Sequence, residues 1–317
     1  MKYRTLGKTG LRVSELGFGS WAIGGNAYGN SYGPTDDQES LQALIAAINQ
    51  GCNFIDTADV YGYGHSEKLI GEIVSRVDRK SLILATKVGG DFYSGRVIMN
   101  FSADYIRFAI SQSLKRLKTD YIDLYQLHNP SLELIKDGEV FEVMRELQAE
   151  GKIRYFGVTI DDPVEGIEAI RWKGVDTLQV VYNLFEQDAS DELFKIAEER
   201  NIGLIAREPL ANGLLTGKYN ENSYFPFGDI RHAWPVSFIS HRARAAQKLT
   251  PLLSDEIDTL VKLSLKFAMS DTAISTVIPG CKTIGQVMEN FSSSDLRYLF
   301  EDELSLISQL YKRRFNV

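Results

Sequence analysis

Tyr121-Ile122-Asp123-Leu124-Tyr125-Gln126-Leu127-His128 is a short apolar run that ends on a histidine, with an amphipathic stretch on either side. Residues 103–118 before it and 132–150 after it read as helices, which leaves 122–127 as a strand held between them. The same unit recurs outward in both directions. After an N-terminal hairpin over about residues 2–14, strands are expected at 15–18, 52–55, 82–86, 122–127, 154–158, 177–181, 202–206 and 274–278. Helices fall near 36–50, 66–76, 103–118, 132–150, 163–172, 190–200, 254–269 and 284–291. Strand followed by helix, eight times over, implies a parallel sheet covered by helices. The α/β chain is therefore expected to close as a (β/α)8 TIM barrel with an N-terminal β-hairpin, one domain over residues 1–317. The longest connection, 217–250, follows the seventh strand, and a loop of that length is usually functional or mobile.

Local punctuation agrees with this pattern. Thr35-Asp36-Asp37-Gln38 reads as a capping box with Thr35 as the cap. Asp162-Pro163 and Thr250-Pro251 each pair a cap residue with proline at the first helical position. Gly51, Gly151 and Gly203 lie where a left-handed residue often leads from helix to strand.

Composition narrows the partners. The 317 residues are 44% hydrophobic and 24% charged with a net charge of −7, and there is no basic run of the kind that holds nucleic acid or an anionic membrane. No uninterrupted apolar segment approaches the roughly 18 residues that span a bilayer, and the start, Met1 to Gly7, lacks the apolar core of a signal peptide. Only Cys52 and Cys281 are present, so no disulfide framework is read, and a cytoplasmic location is expected. His65, His232 and His241 lack ligand spacing, so no metal site is assigned.

Three expected strand ends finish on reactive groups: Asp56 after Cys52-Asn53-Phe54-Ile55, Lys87 after Leu82-Ile83-Leu84-Ala85-Thr86, and His128. Barrel active sites lie at the C-terminal rim, so these residues should converge there with Tyr61 on the adjacent loop. A carbonyl that accepts hydride becomes an alkoxide and needs a proton donor on its oxygen. Tyrosine has a reference pKa of about 10. The Lys87 ammonium is expected to lower it, with Asp56 holding Lys87 charged and His128 aligning the substrate oxygen.

Asp56-Thr57-Ala58-Asp59-Val60-Tyr61-Gly62, with Gly64-His65-Ser66-Glu67, closely resembles the N-terminal signature of aldo-keto reductases. Leu117 to His128 resembles the second signature, and the likeness runs from Arg4-Thr5-Leu6-Gly7 to Glu289-Asn290. The resemblance implies an NADP-dependent oxidoreductase whose catalytic tetrad falls on Asp56, Tyr61, Lys87 and His128. It would act on an aldehyde, ketone or sugar-type carbonyl, or on the alcohol in reverse.

The resemblance also implies cofactor contacts. Val277 to Asn290 matches the adenosine-phosphate site, giving Gly280, Lys282, Thr283, Gln286, Glu289 and Asn290. Thr283 and Gln286 form a capping-box start whose free N–H groups suit a phosphate. Lys282 suits a 2′-phosphate, which points to NADPH over NADH. Ala206 to Lys218 resembles the loop that wraps the pyrophosphate, giving Arg207, Pro209, Leu210, Asn212 and Leu214. Gly19 and Trp21 come from the first rim loop. Two departures stand out. Arg207 occupies a place where many members have an aromatic residue stacked on the nicotinamide. Thr159-Ile160 stands where Ser-Asn is common, so Gln179 and Thr159 are expected to hold the carboxamide.

Gly17-Phe18-Gly19-Ser20-Trp21-Ala22 superficially matches a dinucleotide fingerprint, but Gly24, Gly25, Asn26 and Gly29 follow where that motif needs a helix. The Rossmann alternative is therefore set aside. Trp21, Tyr28, Tyr93, Phe225 and Trp234 are the expected walls of a substrate pocket. The other reading kept open is a cofactor-binding, redox-sensing auxiliary protein on the same fold with little turnover.

Overall fold

A computed structural model describes residues 1–27 and 31–316. Tyr28 lies outside the described residues. The hairpin pairs β1 (Tyr3–Thr5) with β2 (Arg12–Ser14), Tyr3 opposite Ser14. The barrel strands are β3 (Phe18–Gly19), β4 (Phe54–Asp56), β5 (Ile83–Val88), then, after a small hairpin of β6 (Gly90–Asp91) and β7 (Ile98–Met99), β8 (Ile122–His128), β9 (Ile153–Thr159), β10 (Val175–Val181), β11 (Gly203–Arg207) and β12 (Ile274–Val277). They form one parallel sheet in the order β3-β4-β5-β8-β9-β10-β11-β12. Parallel bridges Leu16–Val277 and Gly19–Gly280 join its last strand to its first and close the barrel.

The strands are buried on both faces, all six residues of β5 among them, as a sheet wrapped by helices requires. Outside it pack α1 (Asp37–Asn49), α2 (His65–Val74), α3 (Ala103–Leu117), α4 (Leu132–Asp137), α5 (Glu139–Ala149), α6 (Pro163–Ala169), α7 (Leu193–Glu199), α8 (Val236–Leu249), α9 (Leu260–Ser270), α10 (Ile284–Phe291) and α11 (Glu301–Lys312). Inside, Phe54, Ile83, Ala85, Leu124, Ile205 and Ile278 form a second apolar cluster with Leu6, Leu11 and Val13 of the N-terminal hairpin. The hairpin thus plugs one end of the barrel, where the amide of Lys8 donates to Asn201 at 2.6 Å, and leaves the opposite rim open.

Several expectations are corrected. The helix expected over 132–150 breaks at Gly138, whose φ is +80° and whose Cβ would lie 2.0 Å from the Trp172 ring. Asp36, not Thr35, caps α1 by accepting from the Glu39 amide. Thr250-Pro251 makes only a short turn after α8; the next helix starts at Leu260, capped by Thr259. Asn201, not Gly203, is the left-handed residue before β11 (φ +51°), and Gly203 is needed because a Cβ would strike Leu6 at 2.6 Å. The helices α8 and α11 were not expected.

One buried ion pair ties the first signature to its neighbours. The Glu67 carboxylate on α2, with no exposed surface, accepts from Thr86 Oγ1 of β5 at 2.7 Å and from Arg116 Nε of α3 at 2.6 Å. Arg116→Met would strand that charge, and chemical denaturation should show a loss of about 3–5 kcal/mol. A variant within about 1 kcal/mol of wild type would mean that the pair does not hold α2 and α3 to the sheet.

Candidate active site

Because side chains alternate along a strand, the residues that end barrel strands can point inward together at the rim. Register places Lys87 opposite Gln126, His128 opposite Thr159, Thr159 opposite Gln179, and Val181 opposite Arg207. Tyr61 is on the turn after β4. Gly62 fixes that turn: its φ is +60°, and a Cβ would lie 2.1 Å from the Gly24 carbonyl oxygen of the first rim loop.

Lys87, with no exposed surface, is the hub. Its Nζ donates to Asp56 Oδ2 at 2.5 Å, to the Thr57 carbonyl at 2.8 Å and to the Tyr61 hydroxyl at 3.3 Å. The other Asp56 oxygen accepts from Gln179 Nε2 at 2.7 Å and Gln126 Nε2 at 3.2 Å. The Tyr61 and His128 rings meet edge to face, 5.9 Å between centroids. Burial opposes the Lys87 charge, but Asp56 and then Tyr61 raise its pKa above the usual lysine value. Burial also raises Tyr61; the expected pull of Lys87 is present and is outweighed. Burial first, then Lys87 and Arg207, hold the His128 imidazole well below its ordinary pKa. The arrangement is a charged ammonium touching a neutral phenol, beside a neutral imidazole. Asp59, three residues after Asp56, does not join it: both its oxygens are buried without partners, and burial, then Glu67, push its pKa well up.

A cavity of about 320 Å³ opens over these groups, lined by Asp56, Tyr61 and His128 together with Gly19, Trp21, Thr159, Gln179, Arg207, Pro209, Leu210, Asn212, Gly280, Lys282, Gln286, Glu289 and Asn290. Lys87 sits behind Asp56 and Tyr61. Thr283 caps α10 through the Gln286 amide at 3.2 Å, and Gln286 Oε1 in turn accepts from the Lys282 amide at 2.7 Å. Lys282 Nζ reaches back across the cavity to the carbonyls of Tyr32, Gly33 and Pro34 at 2.8, 3.5 and 3.4 Å. The Thr159 hydroxyl is engaged by Asn129, donating to its Oδ1 and accepting from its amide at 2.9 Å. Asn290 Nδ2 is turned to Cys281 Sγ at 3.1 Å.

Other expected residues lie elsewhere. Leu214 is buried behind the wall. Tyr93 stacks on Phe92 at 4.5 Å and accepts from Arg116 Nη1 at 3.1 Å, away from the cavity. Phe225 is buried under the Arg231 guanidinium at 4.1 Å. Trp234 packs against Phe225 and Phe238 and lines a separate cavity of about 290 Å³, which shares Arg207, Glu208 and Asn212 with the first. The long connection folds on its own aromatic residues and contributes Lys218, Tyr219 and Arg231 to the main wall. Sequence reading missed Ser20, Tyr32, Asn129 and Glu208, which also line it. It missed Gln126 as well, although Gln126 lies two residues before His128 and so on the same strand face. Among the described residues, no group of three or more His, Cys, Asp or Glu is placed to hold a metal, and no helix is long and apolar enough to cross a membrane.

Residues 15–312 match the model of the aldo/keto reductase family. An uncharacterized oxidoreductase of Bacillus subtilis, YqkF, is 32% identical over 99% of this chain and 97% of its own. The holo form of aldo-keto reductase AKR11C1 from Bacillus halodurans superposes with a TM-score of 0.81 at 30% identity, covering 98% of this chain and 96% of that one. An aldo-keto reductase from Klebsiella pneumoniae, solved in complex with NADPH, superposes with a TM-score of 0.72 at 25% identity over 98% and 95%.

The depressed imidazole gives a signed pH prediction. A histidine held below its unfolded value of about 6.5 contributes stability that is present above that pH and is lost as pH falls towards the folded value. Wild type should therefore lose more unfolding free energy between about pH 7 and pH 5 than His128→Gln. Urea titrations at the two pH values read this directly, and equal losses would contradict a neutral, depressed His128.

Proposed function

The chain belongs to the aldo/keto reductase family, and from that premise we propose that it is a nicotinamide-dependent enzyme that reduces an aldehyde, ketone or sugar-type carbonyl to the alcohol, or runs the reverse. The observation that carries the reading is the Lys87 ammonium lodged between the Asp56 carboxylate and the Tyr61 hydroxyl, with His128 against the Tyr61 ring.

The cavity fits such a cofactor in its donors. The Arg207 Nε is buried and unpartnered at the inner end, and the first turn of α10 offers amides for a phosphate at the other. Gly280, Thr283, Gln286, Glu289 and Asn290 would hold the adenosine end. The β11 loop, with Pro209, Leu210 and Asn212, would hold the pyrophosphate, and Gly19, Trp21, Gln179 and Arg207 would border the nicotinamide. Bound there, the cofactor supplies or accepts a hydride. The substrate oxygen would rest between the Tyr61 hydroxyl and the neutral His128 ring. Tyr61 gives that oxygen a proton, and Lys87 stabilises the phenolate left behind. The raised phenol pKa keeps Tyr61 in its donating form at neutral pH. We read the chain as one barrel domain acting on small molecules in the cytoplasm.

NADPH is the preferred cofactor in this reading because Lys282 is the cation nearest the α10 end. To meet a 2′-phosphate its Nζ has to leave the carbonyls of residues 32–34. Lys282→Ala should raise the KM for NADPH about tenfold and leave that for NADH nearly unchanged; an equal change for both would assign Lys282 to holding the loop alone.

Turnover should be followed as loss of reduced-nicotinamide absorbance over a panel of aldehydes, ketones and sugars. Tyr61→Phe is expected to lower kcat by about 10²–10⁴-fold while keeping cofactor affinity. Near wild-type turnover in that variant would remove Tyr61 from the chemistry. Tight cofactor binding with no turnover of any carbonyl would favour the sensing protein instead.

A further inference from the structure

Arg207 ends β11 with its side chain only 17% exposed. Nη2 is held by Asp161 and by the Ile160 carbonyl at 3.2 Å, and Nη1 by Glu208. Nε is buried and has no partner, so the clamped cation keeps its Nε–H for something the protein itself does not supply. The residue lines the same cavity as Tyr61, His128 and Gln179. Its charge is felt at both reacting side chains, lowering the pKa of Tyr61 and of His128. Two carboxylates flank it; Asp161 is 66% exposed, so water weakens it and it offsets the Arg207 charge only in part. Glu208 is tied down by Asn212 Nδ2 at 2.7 Å as well as by Arg207.

A hydride donor serving a carbon whose oxygen rests on Tyr61 and His128 has to place its ring at this inner end, beside Arg207. A nicotinamide ring is neutral when reduced and positively charged when oxidised. A fixed cation next to it repels the oxidised form alone. The free Nε–H is a donor for the ring's carboxamide oxygen, which both forms carry, so that bond adds affinity without discriminating.

We propose that Arg207 makes this site selective for the redox state of its cofactor, so that the reduced form is held more tightly than the oxidised one. The inference rests on the reading of the cavity as a nicotinamide site. Its consequence for carbonyl reduction is that the spent, oxidised cofactor is expelled after each turnover. By linkage, each tenfold preference raises the potential of the bound two-electron couple by about 30 mV.

The test is equilibrium binding, by calorimetry, of NADPH and NADP+ to wild type, Arg207→Met, Arg207→Lys and Asp161→Asn. The two ligands differ only at the nicotinamide ring, in the C4 hydride and the charge, so the change in the ratio of their Kd values between wild type and variants isolates the effect of Arg207. Wild type should favour NADPH by about tenfold. Arg207→Met should bring the ratio close to one, and Arg207→Lys should keep it. Asp161→Asn, which removes a compensating carboxylate from an exposed position, should widen it. A wild-type ratio near one, or a ratio that Arg207→Met leaves unchanged, overturns the proposal. Should Arg207→Met fail to fold, Asp161→Asn decides alone: a widened ratio supports the proposal and an unchanged one overturns it. Wild type that binds neither form would refute the cofactor reading of the cavity, a result distinct from equal binding of both, which refutes only the role of Arg207.

Discussion

The rest of the site depends on one requirement, that a lysine ammonium with no exposed surface be fully partnered. Its three donors meet three acceptors from a single stretch of chain: the Asp56 carboxylate, the Thr57 carbonyl and the Tyr61 hydroxyl. Asp56 is then completed from the far side of the barrel by Gln126 and Gln179. Four strands, β4, β5, β8 and β10, are thereby registered to one another by a polar cluster at the rim. At the other end three of these strands, β4, β5 and β8, are registered by Phe54, Ile83 and Leu124 against the hairpin. A buried charge with every partner present is tolerable; one with a partner missing is not. The rim geometry is consequently set by charge compensation and the base of the barrel by packing.

Around this hub the loops carry the unusual backbone. Glu208, Ala211 and Asn212 all have positive φ, between +45° and +55°, a region that non-glycine residues enter at a cost of about 1–2 kcal/mol each. Partners from other loops hold them there: Tyr32 donates to Asn212 Oδ1 at 2.5 Å, Arg231 Nη1 to the Asn212 carbonyl at 3.0 Å, and Asn183 Nδ2 to the Glu208 carbonyl at 3.0 Å. The loop after β11 is therefore shaped by the first rim loop and by the long connection together. An antiparallel bridge between Tyr32 and Asp229 joins those two loops directly.

This division explains what could be read from the sequence. The eight strands and Asp56, Tyr61, Lys87 and His128 were legible because burial period and residue type are local properties, and strand ends map onto a rim once the barrel is granted. The break at Gly138 was not, since it is imposed by Trp172 arriving from the turn after α6. The helix α8 begins after Pro235 with no side-chain cap, so it gives no start signal and was read as loop. The helix α11 does carry such a signal, Glu303 accepting from the Phe300 amide at 2.7 Å, but eight units were already complete without it. Tyr93, Phe225 and Trp234 were misplaced because an aromatic residue in a rim loop can face the cavity or pack within its own loop, and sequence period does not choose between these. Lys282 and Thr159 line the cavity, but their partners, the carbonyls of 32–34 and Asn129, come from other loops and carry no local sequence signal.

The electrostatic character of the site follows from the same local compensation. The chain is acidic overall, with a net charge of −7, yet after burial the Lys87 ammonium is the largest influence on both Tyr61 and His128, and Arg207 acts on both as well. Each cation is clamped by carboxylates, Asp56 for one and Asp161 with Glu208 for the other, and Asp56 and Glu208 themselves line the cavity. Fixed in this way, neither has to reorganise when charge develops next to it, which is what makes preorganised charges effective in a water-poor site. Burial works in the same direction by a different route. It keeps Tyr61 and His128 neutral, so the two side chains that would meet a substrate oxygen in the proposed reaction bring no charge of their own. In the proposed reaction an oxygen gaining electron density between them would meet two neutral donors, one of them backed by the Lys87 ammonium at 3.3 Å from the Tyr61 hydroxyl.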